Sequence, residues 1–347
     1  MRERNDGPGL TQAREGASRR DFVKVIGAAV LGAGAAPLSL ATPVRAQTGA
    51  LKAPEGGFRF VFMPDTHLRR EYRAAEGLAA ALQAAERLNP RPAFIMTGGD
   101  LCHDLRGEDL EDARALADQF AETGRRNTSI PTYHMLGNHD AAGWGEGDVP
   151  EDHPDYRFGL MQRVLDLGRR YYSFDQGGWH FVIVDNIRLT EPGSHIGWVD
   201  EEQLVWLRDD LHRNRERPTM VAMHVPPVTS IEFLSDRGER DTEENEWRIG
   251  FDRKSGNPEE LIEALNGGNV RAVLSGHIHL VERIDMMGQT FLCLGSVSGQ
   301  QWMGPRQGFR TAEGFGVIDV RPDGTYDWNY QSFGWQAPPE ALEAQRS

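Results

Sequence analysis

Five apolar segments of this chain each end in side chains that are able to bind a metal ion. Short apolar segments of this length are typical of buried strands. The polar residues that follow them are, in order, Asp65 and His67 after FRFVFMP, Asp100 after AFIMTGG, Asn138 and His139 after TYHMLG, His224 after TMVAM, and His277 and His279 after RAVLSG. In α/β proteins ligands bind at the carboxyl ends of strands, so we predict that these distant side chains converge on one site.

The number and type of these side chains favour two metal ions over one. Residues two apart in an extended chain project to the same side, so Asp65 pairs with His67, and His277 pairs with His279. Even without His139, four histidines, two aspartates and one asparagine exceed the needs of one tetrahedral site and suit two adjacent cations that share a carboxylate. A mixture of imidazole and carboxylate favours Mn, Fe or Zn over Ca²⁺ or Mg²⁺. Each motif alone is weak evidence, because turn and core histidines are common.

The order of elements indicates a mixed α/β sandwich. Strand-like and helix-like segments alternate early in the chain, and hairpins dominate later, which disfavours a purely parallel sheet. YYSFD and HFVIVDN, joined by Gln-Gly-Gly, predict one such hairpin. Two long polar stretches, Ala141 to about Asp155 and Pro226 to Asn257, predict loops that are either functional or disordered.

Charge excludes one class of partner. The formal net charge is −14, and residues 1–46, with seven basic and four acidic side chains, contribute +3, so the remainder carries −17. A body this acidic repels phosphate backbones, so we expect no nucleic-acid partner. The two cysteines, Cys102 and Cys293, form no disulfide framework, and we expect two lone buried thiols, with a pairing between them as the alternative.

The N-terminal segment SRRDFVKVIGAAVLGAGAAPLSLATPVRAQ closely resembles the twin-arginine export consensus around Arg19 and Arg20. Its Gly/Ala-rich stretch is too short and too weakly apolar for a good membrane span. Small residues before Gln47 predict cleavage there, which gives a signal peptide over residues 1–46 and one domain over 47–347. A disordered basic N-terminus and an uncleaved anchor are the alternatives. The resemblance implies that the twin-arginine translocation machinery exports the folded bacterial protein, which is then periplasmic or secreted.

Together the motifs DTH, GGD, GNHD, H and GHIH resemble the calcineurin-like metallophosphoesterase superfamily over nearly all of the mature chain. The resemblance implies a four-layer α/β/β/α sandwich of two mixed sheets around a dinuclear centre. It implies that the first metal is bound by Asp65, His67, Asp100 and His279, and the second by Asp100, Asn138, His224 and His277. It also implies that His139 contacts the substrate phosphate, and that Asp140 orients His139.

The resulting hypothesis is a metal-dependent phosphoester hydrolase. A hydroxide that bridges the two metals would attack phosphorus in line, and His139 would stabilise the transition state and protonate the leaving alkoxide. The segment GGDLCHD resembles the cyclic-nucleotide phosphodiesterase-like branch, which favours phosphodiester substrates. Two alternatives stay open: a phosphomonoesterase that scavenges phosphate, and a catalytically silent metal-binding protein on the same scaffold.

Residues that contact the organic part of a small phosphoester substrate are harder to assign. Besides Asn138 and His139, the candidates are His103, Trp144 and Trp247, although the two tryptophans would serve equally well to fix their loops. Purple acid phosphatases, one branch of the superfamily, have a tyrosine ligand three residues after the counterpart of Asp100. His103 occupies that position here, so the sequence does not support a tyrosinate-bound iron centre.

Overall fold

The computed structural model describes residues 55–145, 147–231, 239–241, 246–248, 253–304 and 311–344. The predicted signal peptide lies outside these ranges, so the division of the chain after Ala46 stays a prediction. Much of the polar stretch between Pro226 and Asn257 also lies outside these ranges.

Two large mixed sheets form the centre of the molecule. The strands are β1 (Phe58–Met63), β2 (Ile95–Thr97), β3 (Thr132–Tyr133), β4 (Tyr172–Gln176), β5 (Trp179–Ile183), β6 (Ile187–Leu189), β7 (His195–Gly197), β8 (Thr219–Ala222), β9 (Glu239–Asp241), β10 (Glu246–Arg248), β11 (Val270–Ser275), β12 (Val281–Met286), β13 (Gln289–Leu294), β14 (Gly314–Val320) and β15 (Tyr326–Ser332). The first large sheet has the order β15-β14-β1-β2-β3, and the second has the order β12-β13-β11-β8-β5-β4.

Each large sheet has a parallel part and antiparallel edges. In the first sheet β1, β2 and β3 are parallel, whereas β14 and β15 are antiparallel additions. In the second sheet β5, β8, β11 and β13 are parallel, with β4 and β12 antiparallel at its edges. The β4–β5 pair is the predicted hairpin, and β6–β7 and β9–β10 form two further small hairpins.

Helices cover the outer faces of the sheets. They are α1 (Ala74–Glu86), α2 (Leu110–Asn127), α3 (Gly159–Val164), α4 (Glu201–Arg213), α5 (Pro258–Asn266) and α6 (Pro339–Ala344). Aspartates cap two of them: Asp109 accepts the N–H of Asp112 at 2.9 Å in α2, and Asp200 accepts the N–H of Gln203 at 2.8 Å in α4. In the described ranges none of the helices has the length and apolar character that a membrane span requires.

Alternation along β1 shows how the layers are assembled. Phe60 and Phe62 are buried between the two sheets, where the ring of Phe60 meets that of Phe181 edge-on at 5.3 Å. Val61 and Met63 project to the other face, into the core that the first sheet shares with α1, α2 and α3. A third core lies between the second sheet and helices α4 and α5. The predicted four-layer α/β/β/α sandwich of two mixed sheets is confirmed.

This architecture brings together the strand ends that the sequence singled out. Hydrogen bonds join the two sheets at their carboxyl edges: His224, after β8, donates from Nδ1 to the carbonyl oxygen of Gly98, after β2, at 2.8 Å. The backbone N–H of His277, after β11, donates to the carboxylate of Asp65, after β1, at 2.9 and 3.0 Å. Both sheets therefore contribute to one site.

Candidate metal centre

Hydrogen bonds fix the conformation of the segment after β1, which carries two of the predicted ligands, Asp65 and His67. The backbone N–H of Asp65 donates to the carbonyl of Gly99 at 3.0 Å, and that of His67 donates to the carbonyl of Asp100 at 2.9 Å. The indole N–H of Trp302 donates to the carbonyl oxygen of the intervening Thr66 at 2.9 Å. These bonds orient both side chains toward the space between the sheets.

A first cluster consists of Asp65, His67 and His279, all buried. The Nε2 atoms of His67 and His279 are 3.1 Å apart, and Nε2 of His279 lies 3.4 Å from Oδ1 of Asp65. His279 donates from Nδ1 to the carbonyl oxygen of Gly299 at 2.7 Å, so in the neutral ring Nε2 presents its lone pair to the cluster. The structure thus brings together three of the four side chains expected at the first metal.

A second cluster consists of Asp100, His224 and His277, with Asn138 beside it. Nε2 of His224 lies 3.2 Å from Oδ2 of Asp100, 3.2 Å from Oδ1 of Asn138 and 3.1 Å from Nδ1 of His277. The bond from Nδ1 of His224 to the carbonyl of Gly98 fixes the tautomer of the neutral ring, in which Nε2 again offers a lone pair. All four side chains expected at the second metal therefore lie together.

Asp100 links the two clusters. Its Oδ2 atom lies 3.2 Å from Nε2 of His224 in the second cluster and 3.6 Å from Nε2 of His67 in the first. Its Oδ1 atom accepts the backbone N–H of His139 at 2.8 Å. A carboxylate in this position is able to reach both clusters.

The arrangement fits a pair of cations because it concentrates electron-pair donors. Burial lowers the pKa of His224, but the Asp100 carboxylate outweighs that effect and raises it to about 9, so positive charge is favoured there. Nδ1 of His67 is buried without a hydrogen-bond partner in the described ranges. Converging imidazole, carboxylate and amide donors are the set that suits transition metals.

The backbone at the site adopts a conformation that most residues avoid. Five predicted ligands have φ between 39° and 70°: Asp65, His67, Asp100, His277 and His279. Such residues persist where their surroundings hold them, and they cluster at functional sites. Glycines give the required space, since a Cβ atom at Gly137 would clash with the carboxylate of Asp100.

His139 lies at the edge of the first cluster. Its ring is 5.0 Å from that of His67, and its Nε2 atom is 4.0 Å from Oδ2 of Asp100. On its other side, Nδ1 lies 3.5 Å from Oδ1 of Asp104 and 3.4 Å from an Nη atom of Arg106. The ring is partly exposed, so it is able to meet a substrate above the clusters.

Asp140 differs from the expectation that it orients His139. Its carboxylate accepts the backbone N–H groups of Leu101 at 2.9 Å, Cys102 at 3.1 Å and Gly137 at 2.8 Å. These three bonds hold the turn before His139 against the segment after β2. The carboxylate that faces the ring of His139 is that of Asp104, which the sequence did not single out.

Of the candidate substrate contacts, His103 faces the site. Its ring stacks on that of His139 with centroids 5.8 Å apart, and it lies 5.6 Å from the ring of His67. Burial lowers its pKa to about 4, and its Nδ1 atom is buried with no hydrogen-bond partner among the described residues.

Trp144 is buried, so it is not available as a substrate contact. It is only 7% exposed, its indole N–H donates to the carbonyl oxygen of Ser194 at 2.9 Å, and Arg157 lies over its ring at 4.5 Å. It holds its loop in place, which is the alternative that the sequence left open. The side chain of Trp247 lies outside the described residues.

A segment after β13 supports the site, and the sequence analysis did not predict this role. The hydroxyl of Ser296 donates to the carbonyl of Asp65 at 3.0 Å, the backbone N–H of Ser298 donates to the same oxygen at 3.2 Å, and Gly299 receives His279. These residues and Trp302 belong to the segment GSVSGQQW, which directly follows the strand TFLCL. β13 is parallel to β11, so a small-residue segment at its end was the available signal.

Comparison with known proteins decides the family. The calcineurin-like phosphoesterase family profile matches residues 58–281, which is more than half of the chain and contains every predicted ligand. The chain belongs to the calcineurin-like phosphoesterase family. As a member of it, the chain is a metal-dependent hydrolase of phosphoester bonds, and its two clusters are the candidate metal sites.

Relatives of this calcineurin-like phosphoesterase differ in activity. A 3',5'-cyclic-nucleotide phosphodiesterase of Nostoc sp. is 24% identical over 273 residues, covering 76% of this chain and 86% of the relative. A cAMP/cGMP dual specificity phosphodiesterase of Mycobacterium tuberculosis is 24% identical over 285 residues, 79% of each chain. The serine/threonine-protein phosphatase CPPED1 of Danio rerio is 30% identical over 202 residues, 57% of this chain and 58% of the relative.

Proposed function

We propose that this phosphoesterase is an exported phosphodiesterase with a dinuclear transition-metal centre of Mn, Fe or Zn. The observation that carries the proposal is the position of Asp100, whose Oδ2 atom lies within 3.6 Å of a histidine nitrogen in each cluster. Of the three relatives compared, those from Nostoc sp. and Mycobacterium tuberculosis cover more of this chain than the third, and both are phosphodiesterases, which favours a diester substrate.

Seven side chains would hold the two ions in this proposal. They are Asp65, His67 and His279 for the first, Asn138, His224 and His277 for the second, and Asp100 for both. Bound there, the ions would supply Lewis-acid stabilisation and a water activated for in-line attack on phosphorus at neutral pH. The chain's part is to fix the donors, through the carbonyl groups of Gly98 and Gly299 and the strained strand ends.

His139 stabilises the phosphoryl group and protonates the leaving oxygen. Its backbone N–H is tied to Asp100 at 2.8 Å, so the ring is placed relative to both clusters by one bond. Asp104 and Arg106 lie against Nδ1 and leave Nε2 directed at the centre, 4.0 Å from Oδ2 of Asp100. A ring held in this way donates from Nε2 to an oxygen of the substrate without a prior rearrangement.

Charge around the site supports a monoanionic diester. Arg106, the cation beside His139, forms an ion pair with Asp104 at 2.6 Å, so its charge is largely neutralised. Burial lowers the pKa of His103 to about 4, so its ring is neutral. A dianionic monoester would gain more from cations that are not already paired with carboxylates.

The alternative is a phosphomonoesterase. It is favoured by the Danio rerio relative, a serine/threonine-protein phosphatase that has the highest identity of the three compared, although over a shorter part of the chain. Both activities use the same clusters, so only the part of the substrate beyond the phosphoryl group distinguishes them.

Export is a separate part of the proposal. The segment around Arg19 and Arg20 supports translocation of the folded protein to the periplasm or the medium. Cell fractionation of the full chain tests this, with Arg19→Lys/Arg20→Lys as the variant and Arg2→Lys/Arg4→Lys as the matched control. Retention of only the first variant in the cytoplasm supports export, whereas identical distributions refute it.

Activity is tested with the chain from Gln47 onward, loaded with Mn²⁺ or with Fe and Zn. Initial rates with an aryl phosphodiester and the matching monoester are compared, and Asp100→Asn serves as the inactive control. Preference for the diester supports the proposal, whereas preference for the monoester supports the alternative, a phosphomonoesterase. A metal-loaded protein that hydrolyses neither ester is the catalytically silent protein, and the proposal is wrong.

A further inference from the structure

His195 lies beside the second cluster and has no part in the reaction described above. It opens β7, and its ring stands perpendicular to that of His277 with centroids 5.5 Å apart. Its Nε2 atom is buried and has no hydrogen-bond partner in the part of the chain that the structure describes. Buried polar atoms in proteins are almost always paired, so an unpaired nitrogen beside an active centre points to a missing partner.

Hydrogen bonds with Arg106 and Trp144 fix the backbone before His195. Arg106 donates from Nη1 to the carbonyl oxygen of Gly193 at 3.1 Å, and the indole N–H of Trp144 donates to that of Ser194 at 2.9 Å. The N–H of Gly193 in turn donates to the carbonyl oxygen of Trp144. The chain therefore uses three hydrogen bonds to present one histidine, which is how a preorganised contact is built.

His195 and His139 lie nearest to different clusters. The ring of His139 lies 5.0 Å from His67 of the first cluster, whereas that of His195 lies 5.5 Å from His277 of the second. A phosphodiester that lies across both clusters has an ester oxygen toward each cluster. One of these leaves with a proton from His139, and the other remains bonded to phosphorus.

We propose that His195 hydrogen-bonds through Nε2 to the ester arm that stays on phosphorus and thereby makes the site selective for phosphodiesters. This inference rests on the proposed function and deepens it. A monoester has no such arm, so Nε2 gains no partner from it. Hydrogen bonding by a neutral ring suits a monoanion, since it adds specificity without the charge that a dianion would require.

The test compares His195→Ala and His195→Asn with His212→Ala, a change at an exposed histidine of α4. The metal-loaded full chain is assayed for kcat and KM with an aryl phosphodiester and the matching monoester. Inhibition constants of dimethyl phosphate and inorganic phosphate are measured alongside, as are metal content and thermal midpoint.

For His195→Ala we expect KM for the diester, and the inhibition constant of dimethyl phosphate, to rise about tenfold, the loss of one hydrogen bond. We expect the values for the monoester and inorganic phosphate to stay within about twofold of the wild type, with metal content unchanged and partial recovery in His195→Asn. Equal losses for both esters, no change, or loss of metal would overturn the inference. Failure of the wild-type enzyme to cleave any phosphoester would instead overturn the proposed function.

Trp144→Phe gives an independent test of how His195 is positioned. The change keeps an aromatic ring under Arg157 but removes the donor to Ser194. We expect a smaller loss in the same direction, selective for the diester. A Trp144→Phe enzyme with wild-type constants for both esters would show that this bond does not position His195.

Discussion

The Nε2 atom of His279 lies 3.1 Å from the Nε2 atom of His67, and both rings are buried. Since Nδ1 of His279 donates to Gly299, the neutral ring presents the lone pair of Nε2 to His67, where it accepts a proton from that ring. A cation bound between the rings would replace that proton, and each nitrogen would become a ligand.

Metal removal should therefore destabilise the protein. A chelator that strips the ions removes the stabilisation that comes with binding to the folded state only. We expect a lower thermal midpoint and loss of activity, both restored by added Mn²⁺, as followed by scanning calorimetry and rate measurements. A chelated protein with an unchanged midpoint would contradict the assignment of the clusters as metal sites.

Asp100→Asn should reduce the affinity for both ions. The amide keeps the size of the carboxylate but lacks the charge that faces His67 and His224 at 3.6 and 3.2 Å. We expect bound metal to fall below two ions per chain and kcat to fall by more than about 100-fold. Asp118→Asn, at an exposed position of α2, is the control in both assays. Full metal content with full activity would remove Asp100 from the shared position.

His139→Ala should lower activity while the ions stay bound. The ring is placed beside the clusters rather than within either full ligand set, and the proposed role as proton donor would be worth about 10²–10⁴-fold in kcat. Steady-state rates and elemental analysis of the same preparation separate the two effects. Loss of metal together with activity would show instead that His139 is a ligand.

Asp104 and Asp140 should respond differently to replacement by asparagine. Asp104 faces Nδ1 of His139 at 3.5 Å, so Asp104→Asn should lower kcat by about 10-fold or more at unchanged thermal midpoint. Asp140 accepts three backbone N–H groups, so Asp140→Asn should cost about 1–3 kcal/mol of unfolding free energy. Denaturant titration and kcat are measured for both variants. The reverse pattern would restore Asp140 as the residue that orients His139.

His180 should give the stability of this protein a pH dependence away from the site. Burial lowers its pKa, but hydrogen bonds to Asp210 at 2.8 Å and Asp175 at 2.7 Å outweigh this and raise it above the ordinary value of 6.5. The folded state therefore holds a proton that the unfolded state releases. The stabilisation is complete below pH 6.5 and decreases as the pH rises through the folded pKa.

Denaturant unfolding of wild type and His180→Gln across this range measures the effect, with His212→Gln, at an exposed histidine of α4, as the control. The unfolding free energy of His180→Gln should be lower below pH 6.5 by about 1–3 kcal/mol, and the difference should shrink at higher pH. A pH-independent difference would show that His180 is neutral in the folded protein.

The fold class and the identity of the clustered residues could be predicted because they depend on local patterns. Apolar segments define strands, and a histidine or aspartate directly after a strand marks its carboxyl end, as at Asp65 and His224. Parallel neighbours bring such ends to one edge, so the order of motifs was enough to anticipate convergence.

The contacts of individual side chains depended on tertiary structure. Asp104, Arg106 and His195 reach the site from segments between the large-sheet strands, whose paths no local pattern specifies. Asp140 follows His139 in sequence, yet its carboxylate bonds to the segment after β2, because the 3₁₀ turn directs the two side chains to different neighbours. The sequence determined which chemical groups are present at the strand ends. Only the packing of two sheets decided which of them lie together in one cluster, which lie beside the clusters, and which hold the others in place.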